Sequence, residues 1–485
     1  MSSKRRRAKT GVSAARLAAL RVLEAWDRNG GRADRLLLEA CGGLDDRDRR
    51  FTHELVLGVL RWRGRLDHLL DQLLTRPARK LSPGVRSILR LGLYQLGEEF
   101  RAPAHAVVSE SVTLCRVSGS AWATGLVNAT LRRYIRERER LAATMQGDTP
   151  AAMARRLSWP IWMVATLGRV LDPDALAPFL QASNLAPPLT LRVHTEHVSR
   201  TDFLEALKAH GLDAVPGRLA PAAVVIRDRV PVTTLPGYRH GWFSVQDEAS
   251  QIVGLAVSAK TGSQVLDACA APGGKALHLA EQVGASGTVF ATDASADRLA
   301  LLEESARRAC PGRIHTAPHT WAGDPGRGQV NDPEPASPSL EHALPLPDLW
   351  PKTFDRVLVD APCSGLGVVR RHPEIKWRRR QDDLPRYARR QQAILTHAAR
   401  AVRSTGALVY SVCTMTEQET TGVVRAFLAA NPDFHLEDLR HVLPPALGHL
   451  VGNDGCVRTF PHRDGCDAFF IARFRRSPDA SGGEQ

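Results

Sequence analysis

The chain has 485 residues, 43% hydrophobic and 24% charged, so it is too long for one ordinary domain and has the composition of a soluble protein. No run of about eighteen apolar residues occurs and no apolar stretch follows the basic start, so we expect a cytoplasmic protein that neither spans a membrane nor is secreted. The formal net charge is +14, and residues 1–150 hold 28 Lys and Arg against 16 Asp and Glu, which is typical of a nucleic-acid-binding segment or of an arginine-rich solvated face.

The first third of the chain predicts helices. After a basic tail at 1–10, residues 11–146 show apolar side chains at spacings of three and four, in segments mostly bounded by Gly or Pro. We expect a compact all-α domain that binds RNA through its excess positive charge. The predicted helices are Ala14–Trp26, Arg50–Leu60, Leu66–Leu73, Val85–Leu96, His105–Arg116 and Gly125–Arg138.

Residues 147–237 predict linker helices followed by a small α/β module. Six prolines interrupt residues 147–188, and the pattern after them is a strand, a helix and two more strands. The predicted segments are Leu189–Val193, Ser199–His210, Asp213–Pro216 and Ala222–Arg227.

Strands and helices alternate in residues 238–477, which is typical of a parallel sheet covered by helices on both faces. A Pro-rich stretch without periodicity predicts a surface insertion at 325–351, and residues 478–485 predict a disordered tail. The predicted strands are Gln264–Asp267, Thr288–Asp293, Asp355–Asp360, Ala407–Cys413 and Ala468–Phe474, and the predicted helices are Lys275–Gln282 and Ala296–Ala309.

A glycine-rich turn follows the strand Gln264–Asp267. Glycines there let the backbone approach a ligand closely at the carboxyl edge of the sheet. The turn lacks the Gly-x-Gly-x-x-Gly spacing of dinucleotide sites and the longer loop of phosphate sites. Asp293 ends the next strand, where a carboxylate can accept both hydroxyls of a ribose. A ribose ligand without phosphate, such as S-adenosylmethionine, suits this pattern, and an ordinary strand-to-helix turn is the alternative. The turn comprises Cys269, Ala270, Ala271, Pro272, Gly273, Gly274 and Lys275.

Two further strand ends carry an acid and two thiols. Asp360 and Cys363 follow one strand and Cys413 ends another, so all three should face the ligand crevice of a doubly wound sheet. A thiolate that adds to carbon 6 of cytosine makes carbon 5 nucleophilic toward a methyl sulfonium. An acid that is protonated, or that shares a proton, can then stabilise the charge at nitrogen 3. The alternative is that the cysteines are inert core residues.

A basic strip follows the first of these cysteines. We expect RNA contacts from Arg370, Arg371, Lys376 and Trp377, because arginines reach phosphates and tryptophan can stack on a base. A solvated start of a helix is the alternative. The target cytosine must be single-stranded or flipped out, because its reacting carbon is shielded inside a helix.

Several of these segments resemble the RNA 5-methylcytosine methyltransferases. The matching motifs are CAAPGGK at 269–275, DAPCSG at 360–365 and YSVCT at 410–414, with FSVQDEAS at 243–250, VRRHPEIKW at 369–377, RTFP at 458–461 and DGCDAFFIA at 464–472. The helical front domain resembles NusB. This pairing is similar to the RsmB/Sun branch, which methylates small-subunit ribosomal RNA.

The resemblance implies an S-adenosylmethionine-dependent methyltransferase with a Rossmann-like catalytic domain, acting on a cytosine of 16S ribosomal RNA. It implies that Cys413 is the nucleophile and that Cys363 aids release, an assignment that spacing alone does not give. It also implies an acid that contacts the adenosine after the third strand, and Asp324 is the nearest candidate. Asp360 is expected to line the cofactor site as well as to serve nitrogen 3.

Two other functions stay open: a transfer-RNA cytosine-5 methyltransferase, and an RNA-binding assembly factor with a dead catalytic fold. The NusB-like domain argues against the first, and the intact Lys275, Asp360, Cys363 and Cys413 argue against the second. The eight cysteines form no Cys-x-x-Cys pair and no zinc-finger spacing. We therefore expect free thiols and no metal, and we also expect a monomer.

Overall fold

The computed structural model describes residues 12–97, 100–321 and 353–478, which form two compact units. The first unit holds the described residues up to 184 together with 369–381, and the second holds the rest. The predicted tail at 1–10, the insertion at 325–351, Asp324 and all but the first residue of the predicted tail at 478–485 lie outside the described residues. No helix of the described ranges is long and apolar enough to cross a membrane.

The first unit is helical, as predicted. One long helix replaces the two expected between Arg50 and Leu73, because a single glycine at position 64 costs only about 1 kcal/mol and does not end a helix. Its helices are α1 (Ala14–Asn29), α2 (Ala33–Ala40), α3 (Asp46–Leu73), α4 (Pro83–Leu96), α5 (Ala104–Val117), α6 (Thr124–Arg136), α7 (Arg138–Ala143), α8 (Pro150–Arg156), α9 (Ile161–Leu167), α10 (Pro173–Ala182) and α15 (Ile375–Arg378).

The small α/β module begins the second unit. Its antiparallel strands β1 (Leu189–Val193), β2 (Ala214–Pro216), β3 (Ala223–Ile226) and β4 (Phe243–Val245) lie in the order β2-β3-β1-β4. Helix α11 (Arg200–Ala209) packs on this sheet. Strand β4 pairs with β1, although it lies beyond residue 237, where we expected the module to end. Three residues are too few for a periodicity that predicts a strand.

The large sheet carries the motifs. Its strands are β5 (Gln264–Asp267), β6 (Thr288–Asp293), β7 (Ile314–Pro318), β8 (Phe354–Asp360), β9 (Val402–Val412), β10 (Phe434–Glu437), β11 (Val457–Arg458) and β12 (Phe470–Arg476). In the described residues they run in the order β10-β12-β9-β8-β5-β6-β7, with β11 paired to β12. The strands from β7 to β9 are parallel, but β12 is antiparallel to β9, so the expectation of an all-parallel sheet was wrong at this edge.

Helices cover both faces of the large sheet. They are α12 (Glu248–Val257), α13 (Gly274–Val283), α14 (Ala296–Ala309), α16 (Leu384–Ala399), α17 (Thr421–Ala430) and α18 (Pro461–Asp464). Successive residues of the parallel strands point into two different cores. Val265 belongs to the core under α12, α13 and α14, whereas Leu266 belongs to the core under α16 and α17. The carboxyl ends of β5, β6 and β8 therefore meet at one edge between two helical layers.

Candidate active site

The turn after β5 is held against the neighbouring strands by backbone hydrogen bonds. Ala268 N donates to Leu358 O of β8 and Ala270 N donates to Thr292 O of β6, each at 2.8 Å. Gly273 has a φ of +113°, and a Cβ there would lie 2.4 Å from Leu302 Cδ1. A side chain at this position would be strained and would clash, so glycine is required. A Cβ at Gly274 would meet only ordinary contacts.

Asp293 lies at the end of β6 and its carboxylate faces this turn. One oxygen accepts from Ala271 N at 3.2 Å and the other from Ser295 N at 3.0 Å. Arg298 Nη1 lies 3.7 Å from Asp293, and its other terminal nitrogen donates to Ala271 O. Asp293 therefore holds the turn in place, and each oxygen keeps a lone pair for a further donor.

Asp267 lies at the end of β5 and was missed by the sequence analysis. It is fully buried, and neither carboxylate oxygen has a hydrogen-bond partner among the described residues. Burial first, and then the charge of Asp360, raises the pKa of Asp267 to about 8. Its position at a strand end, like those of Asp293 and Asp360, was the available signal. A buried carboxyl group without a partner suits a cationic ligand.

Asp360 is hydrogen-bonded on both oxygens. Lys275 Nζ donates to one at 2.7 Å, and the hydroxyl of the buried Ser411 donates to the other at 2.6 Å. Burial alone would lower the pKa of Lys275, but the Asp360 carboxylate outweighs it and the pKa is raised. The shared proton of this pair therefore resides on Lys275, and Asp360 acts as its acceptor.

The two predicted thiols lie together. Cys363 Sγ and Cys413 Sγ are 3.3 Å apart, and both side chains are partly buried. The hydrogen bond with Cys413 and burial raise the pKa of Cys363 well above its usual value. The raised pKa disfavours the thiolate form of Cys363, and either sulfur can be the donor in this contact.

Comparisons with known proteins give the chain its family. The family model for 16S rRNA methyltransferase RsmB/F matches residues 255–475, the NusB family model matches 13–136, and a model for the ferredoxin-like domain of RsmF/B-like methyltransferases matches 159–233. Ribosomal RNA small subunit methyltransferase B of Pseudomonas putida is 35% identical over 432 residues, covering 87% of this chain and 91% of that protein. The chain belongs to the RsmB/F family. It is an S-adenosylmethionine-dependent rRNA methyltransferase.

Other relatives of this RsmB/F methyltransferase agree. The probable ribosomal RNA small subunit methyltransferase B of Bacillus subtilis is 33% identical over 435 residues, covering 89% of this chain and 92% of its own. The crystal structure of PH0851 has a TM-score of 0.74 at 20% identity and covers 96% of this chain and 99% of that chain. NSun6 from Pyrococcus horikoshii, solved with SFG, has a TM-score of 0.54 at 19% identity, covering 66% and 99%. The solved structures confirm the predicted fold, and the family and its relatives at 33–35% identity confirm the predicted enzyme class and cofactor.

The cofactor site of the RsmB/F methyltransferase fits S-adenosylmethionine. The molecule carries a ribose diol, a sulfonium and an ammonium group. Asp267, Asp293 and Asp360 end three strands at one edge of the sheet, which supplies acceptors for a cationic ligand with hydroxyls. The partnerless carboxyl of Asp267 is the observation that supports this fit.

The predicted RNA strip is placed differently from our expectation. Lys376 is buried, which together with the charge of Arg61 lowers its pKa well below the usual value, and its Nζ lies at hydrogen-bond distance from Arg61 O (2.7 Å), Ser158 O (2.8 Å) and Asn184 Oδ1 (2.9 Å). The indole of Trp377 donates to Leu60 O at 2.5 Å and packs where a Cβ of Gly64 would lie.

Both side chains therefore fix the strip to the helical unit, and the prediction that they contact RNA was wrong in this structure. Arg370 is also buried, and its carbonyl accepts from Arg61 Nη2 at 3.0 Å. The prediction that Arg370 contacts RNA is therefore also wrong, because a buried guanidinium does not face a phosphate. An RNA contact by the half-buried Arg371 stays a prediction.

Proposed function

We propose that this RsmB/F methyltransferase methylates carbon 5 of a cytosine in 16S ribosomal RNA through a covalent adduct with Cys413. The observation that carries this proposal is the 3.3 Å separation of the Cys363 and Cys413 sulfurs. If Cys363 and Cys413 only filled space in the core, they would not require an ion pair nearby. The Lys275–Asp360 ion pair lies at the ends of the adjacent strands. The names of the relatives support the 16S substrate.

Cys413, Asp360 and Cys363 have different roles in the proposed reaction. The Cys413 thiolate adds to carbon 6 of the cytosine, and the electron pair of the C5–C6 double bond moves toward nitrogen 3. Asp360 takes a proton from Lys275 and donates it to that nitrogen, and it takes the proton back when the C5–C6 double bond re-forms. Bound S-adenosylmethionine supplies an electrophilic methyl group for carbon 5. A base then removes the carbon 5 proton, and the C6–S bond breaks to return the thiolate of Cys413. Cys363 aids this release.

The electrostatic surroundings favour Cys413, rather than Cys363, as the nucleophile. The contact with Cys413 and burial raise the pKa of Cys363, which disfavours its thiolate form. Cys413 is also among the groups whose negative charge raises the pKa of Lys275. A thiolate near a lysine ammonium is the form that attacks.

The test uses unmodified small-subunit RNA, unmodified transfer RNA and methyl-labelled S-adenosylmethionine. We expect labelled 5-methylcytidine in a nuclease digest of the small-subunit RNA, and none with Cys413→Ala. Label in transfer RNA alone would assign the other substrate. Label in a different nucleoside would contradict cytosine-5 chemistry.

We also propose that the helical unit binds this RNA along two adjoining grooves beside α5 and α6. The grooves have volumes of about 540 and 470 Å³ and share Ala104 and Ile135. Among the described residues, these linings include no carboxylate. Basic side chains without neighbouring acids among the described lining residues favour a polyanion such as the RNA backbone. The basic residues of the linings are Arg101, His105, Arg116, Arg132 and Arg138.

A further inference from the structure

Glu419 is a fully buried carboxylate that belongs to none of the motifs that the sequence analysis singled out. It ends the 3₁₀ turn Glu417–Glu419, which follows the Cys413 loop. Ser364 donates to it from the backbone N at 2.8 Å and from the hydroxyl at 2.6 Å. Gln391 Nε2 at 3.0 Å and Thr416 Oγ1 at 2.9 Å are further donors. All of these donors are neutral groups.

The Glu419 hydrogen bonds join the two loops that carry the thiols. Ser364 directly follows Cys363, and Thr414 directly follows Cys413. The hydroxyl oxygens of Ser364 and Thr414 are 2.9 Å apart. Because the Ser364 hydroxyl donates to Glu419, the Thr414 hydroxyl must be the donor in that pair. A chain of hydrogen bonds therefore runs from the Cys413 loop through the Cys363 loop to Glu419.

The backbone of Glu419 and the start of the Cys363 loop are also held by hydrogen bonds. The Tyr410 hydroxyl donates to the backbone oxygen of Glu419 at 2.7 Å, and Gln391 Nε2 also donates to Pro362 O at 3.0 Å. Tyr410 of β9 therefore fixes the backbone of Glu419, and Gln391 of α16 fixes both Glu419 and the loop that carries Cys363. Ser364, Thr414, Thr416 and Gln391 are all buried, so water does not compete for these bonds.

A structural link between two loops does not require a charge. A buried carboxylate costs more free energy to desolvate than a glutamine amide of similar size. A negative charge at this place disfavours a second negative charge on Cys363, because the carboxylate is bonded to Ser364, the residue next to that cysteine. In agreement, the charge of Glu419 is one of the contributions that raise the pKa of Cys363, after the hydrogen bond with Cys413 and burial.

We propose that Glu419 is a positioning residue that holds the loops of Cys363 and Cys413 in register and places a negative charge beside the Cys363 loop. This inference rests on the proposed thiol chemistry. Glu419 acts through Ser364 and Thr414 and does not itself contact the reacting atoms in this account. Nothing in the sequence distinguishes it from Glu417 two residues earlier, whose side chain is 66% exposed and pairs with Arg425.

The first test measures the thiol without RNA, so that its result does not depend on the methylation reaction. Alkylation of Cys363 by iodoacetamide is followed against pH by peptide mass spectrometry in Cys413→Ala protein, with and without Glu419→Gln. We expect the midpoint for Cys363 to move to lower pH in the Glu419→Gln protein, because the nearby negative charge is lost. Glu417→Gln is the matched control and should leave the midpoint in place. An unchanged midpoint in Glu419→Gln would show a merely structural link and overturn the proposal.

The second test measures methyl transfer with Cys363 and Cys413 intact. Glu419→Gln should lower the rate about tenfold to a hundredfold, the factor for one or two lost hydrogen bonds to a charged group, while S-adenosylmethionine affinity stays the same. A wild-type rate would overturn the proposal. If Glu419→Gln loses cofactor binding and hence its fold, Thr414→Val breaks the same chain and leaves the carboxylate in place. A wild-type rate in a folded Thr414→Val protein would equally contradict it.

Discussion

Three aspartates end three strands of one sheet, and their surroundings give them different tasks. Asp267 is buried without a partner among the described residues, Asp293 accepts two backbone N–H groups, and Asp360 is paired with Lys275. Asp267 therefore suits a cationic part of the cofactor. Asp293 holds the turn and keeps lone pairs for the ribose, and Asp360 can transfer a proton. Environment, rather than residue type, separates these roles.

The burial of Asp267 predicts a pH dependence of stability. Its pKa is raised from 3.8 to about 8, and an acid with a higher pKa in the folded state lowers the free energy of unfolding as pH rises through that interval. Cofactor-free Asp267→Asn protein should therefore melt at a higher temperature than wild type at pH 8, with the difference vanishing near pH 4. Asp297→Asn, at an exposed site, is the control. Equal melting temperatures at both pH values would argue against the raised pKa.

The same substitution should weaken cofactor binding. Loss of a hydrogen bond between charged groups costs about 1.5–3 kcal/mol, so calorimetry should show S-adenosylmethionine affinity about tenfold lower or worse in Asp267→Asn. Asp267→Asn would thus raise the stability of the cofactor-free protein and weaken the binding of S-adenosylmethionine. Unaltered affinity would place the cationic groups of the cofactor elsewhere.

At the scale of elements, the segment 369–381 is the feature that sequence reasoning misread. Its arginines, lysine and tryptophan have the composition of an RNA strip, yet Lys376 and Trp377 are held by backbone oxygens of the helical unit. Which carbonyls a lysine will meet depends on residues such as Arg61 and Ser158, hundreds of positions away. Local composition does not contain that information.

Other elements followed from local pattern. Strands β5 and β6 and helix α14 have the predicted bounds, because apolar periodicity and turn residues determine them. The motifs located Cys363, Cys413, Asp360 and the glycine turn, which the structure brings to one edge. Glu419 was missed because its hydrogen-bond donors come from separate segments of the chain, which the sequence does not show to be neighbours. Strand β4 was missed because three residues show no periodic pattern, and they form a strand by pairing with β1.

Removal of the buried Lys376 amino group should destabilise the helical unit. In Lys376→Met the three oxygens that it satisfies would be left without this donor, and each buried unsatisfied group costs about 1–3 kcal/mol. We expect the free energy of unfolding in urea to fall by about 3 kcal/mol or more. Lys80→Met removes an exposed lysine of the same unit and should change little. Weaker RNA binding with unaltered stability would restore Lys376 as an RNA-binding residue.

At the scale of the whole molecule, charge and chemistry are carried by different parts of the chain. Residues 1–150 hold 28 cations against 16 anions and none of the catalytic motifs. The second unit holds the cofactor turn, the acids and the thiols. RNA affinity and catalysis should therefore respond to different substitutions.

Substitutions in the proposed grooves test this division. Arg116→Gln with Arg132→Gln should weaken RNA binding and reduce its salt dependence, by about 0.7 in the slope of log K against log salt for each single-strand phosphate that the protein ceases to neutralise. Cofactor affinity should not change. Arg76→Gln with Arg79→Gln removes the same charge from an exposed site outside the grooves. If both double variants reduce the slope equally, the effect is one of net charge and the grooves are not the binding surface.

The proposed reaction requires different roles for two sulfurs that lie 3.3 Å apart. The most direct measurement is a denaturing gel of the full-length protein incubated with small-subunit RNA and S-adenosylmethionine. Cys363→Ala should give a slowly migrating protein–RNA adduct, because Cys413 still adds to the cytosine and release fails. Cys413→Ala and the double variant should give none. An adduct in Cys413→Ala but not in Cys363→Ala would reverse the two roles and contradict the account.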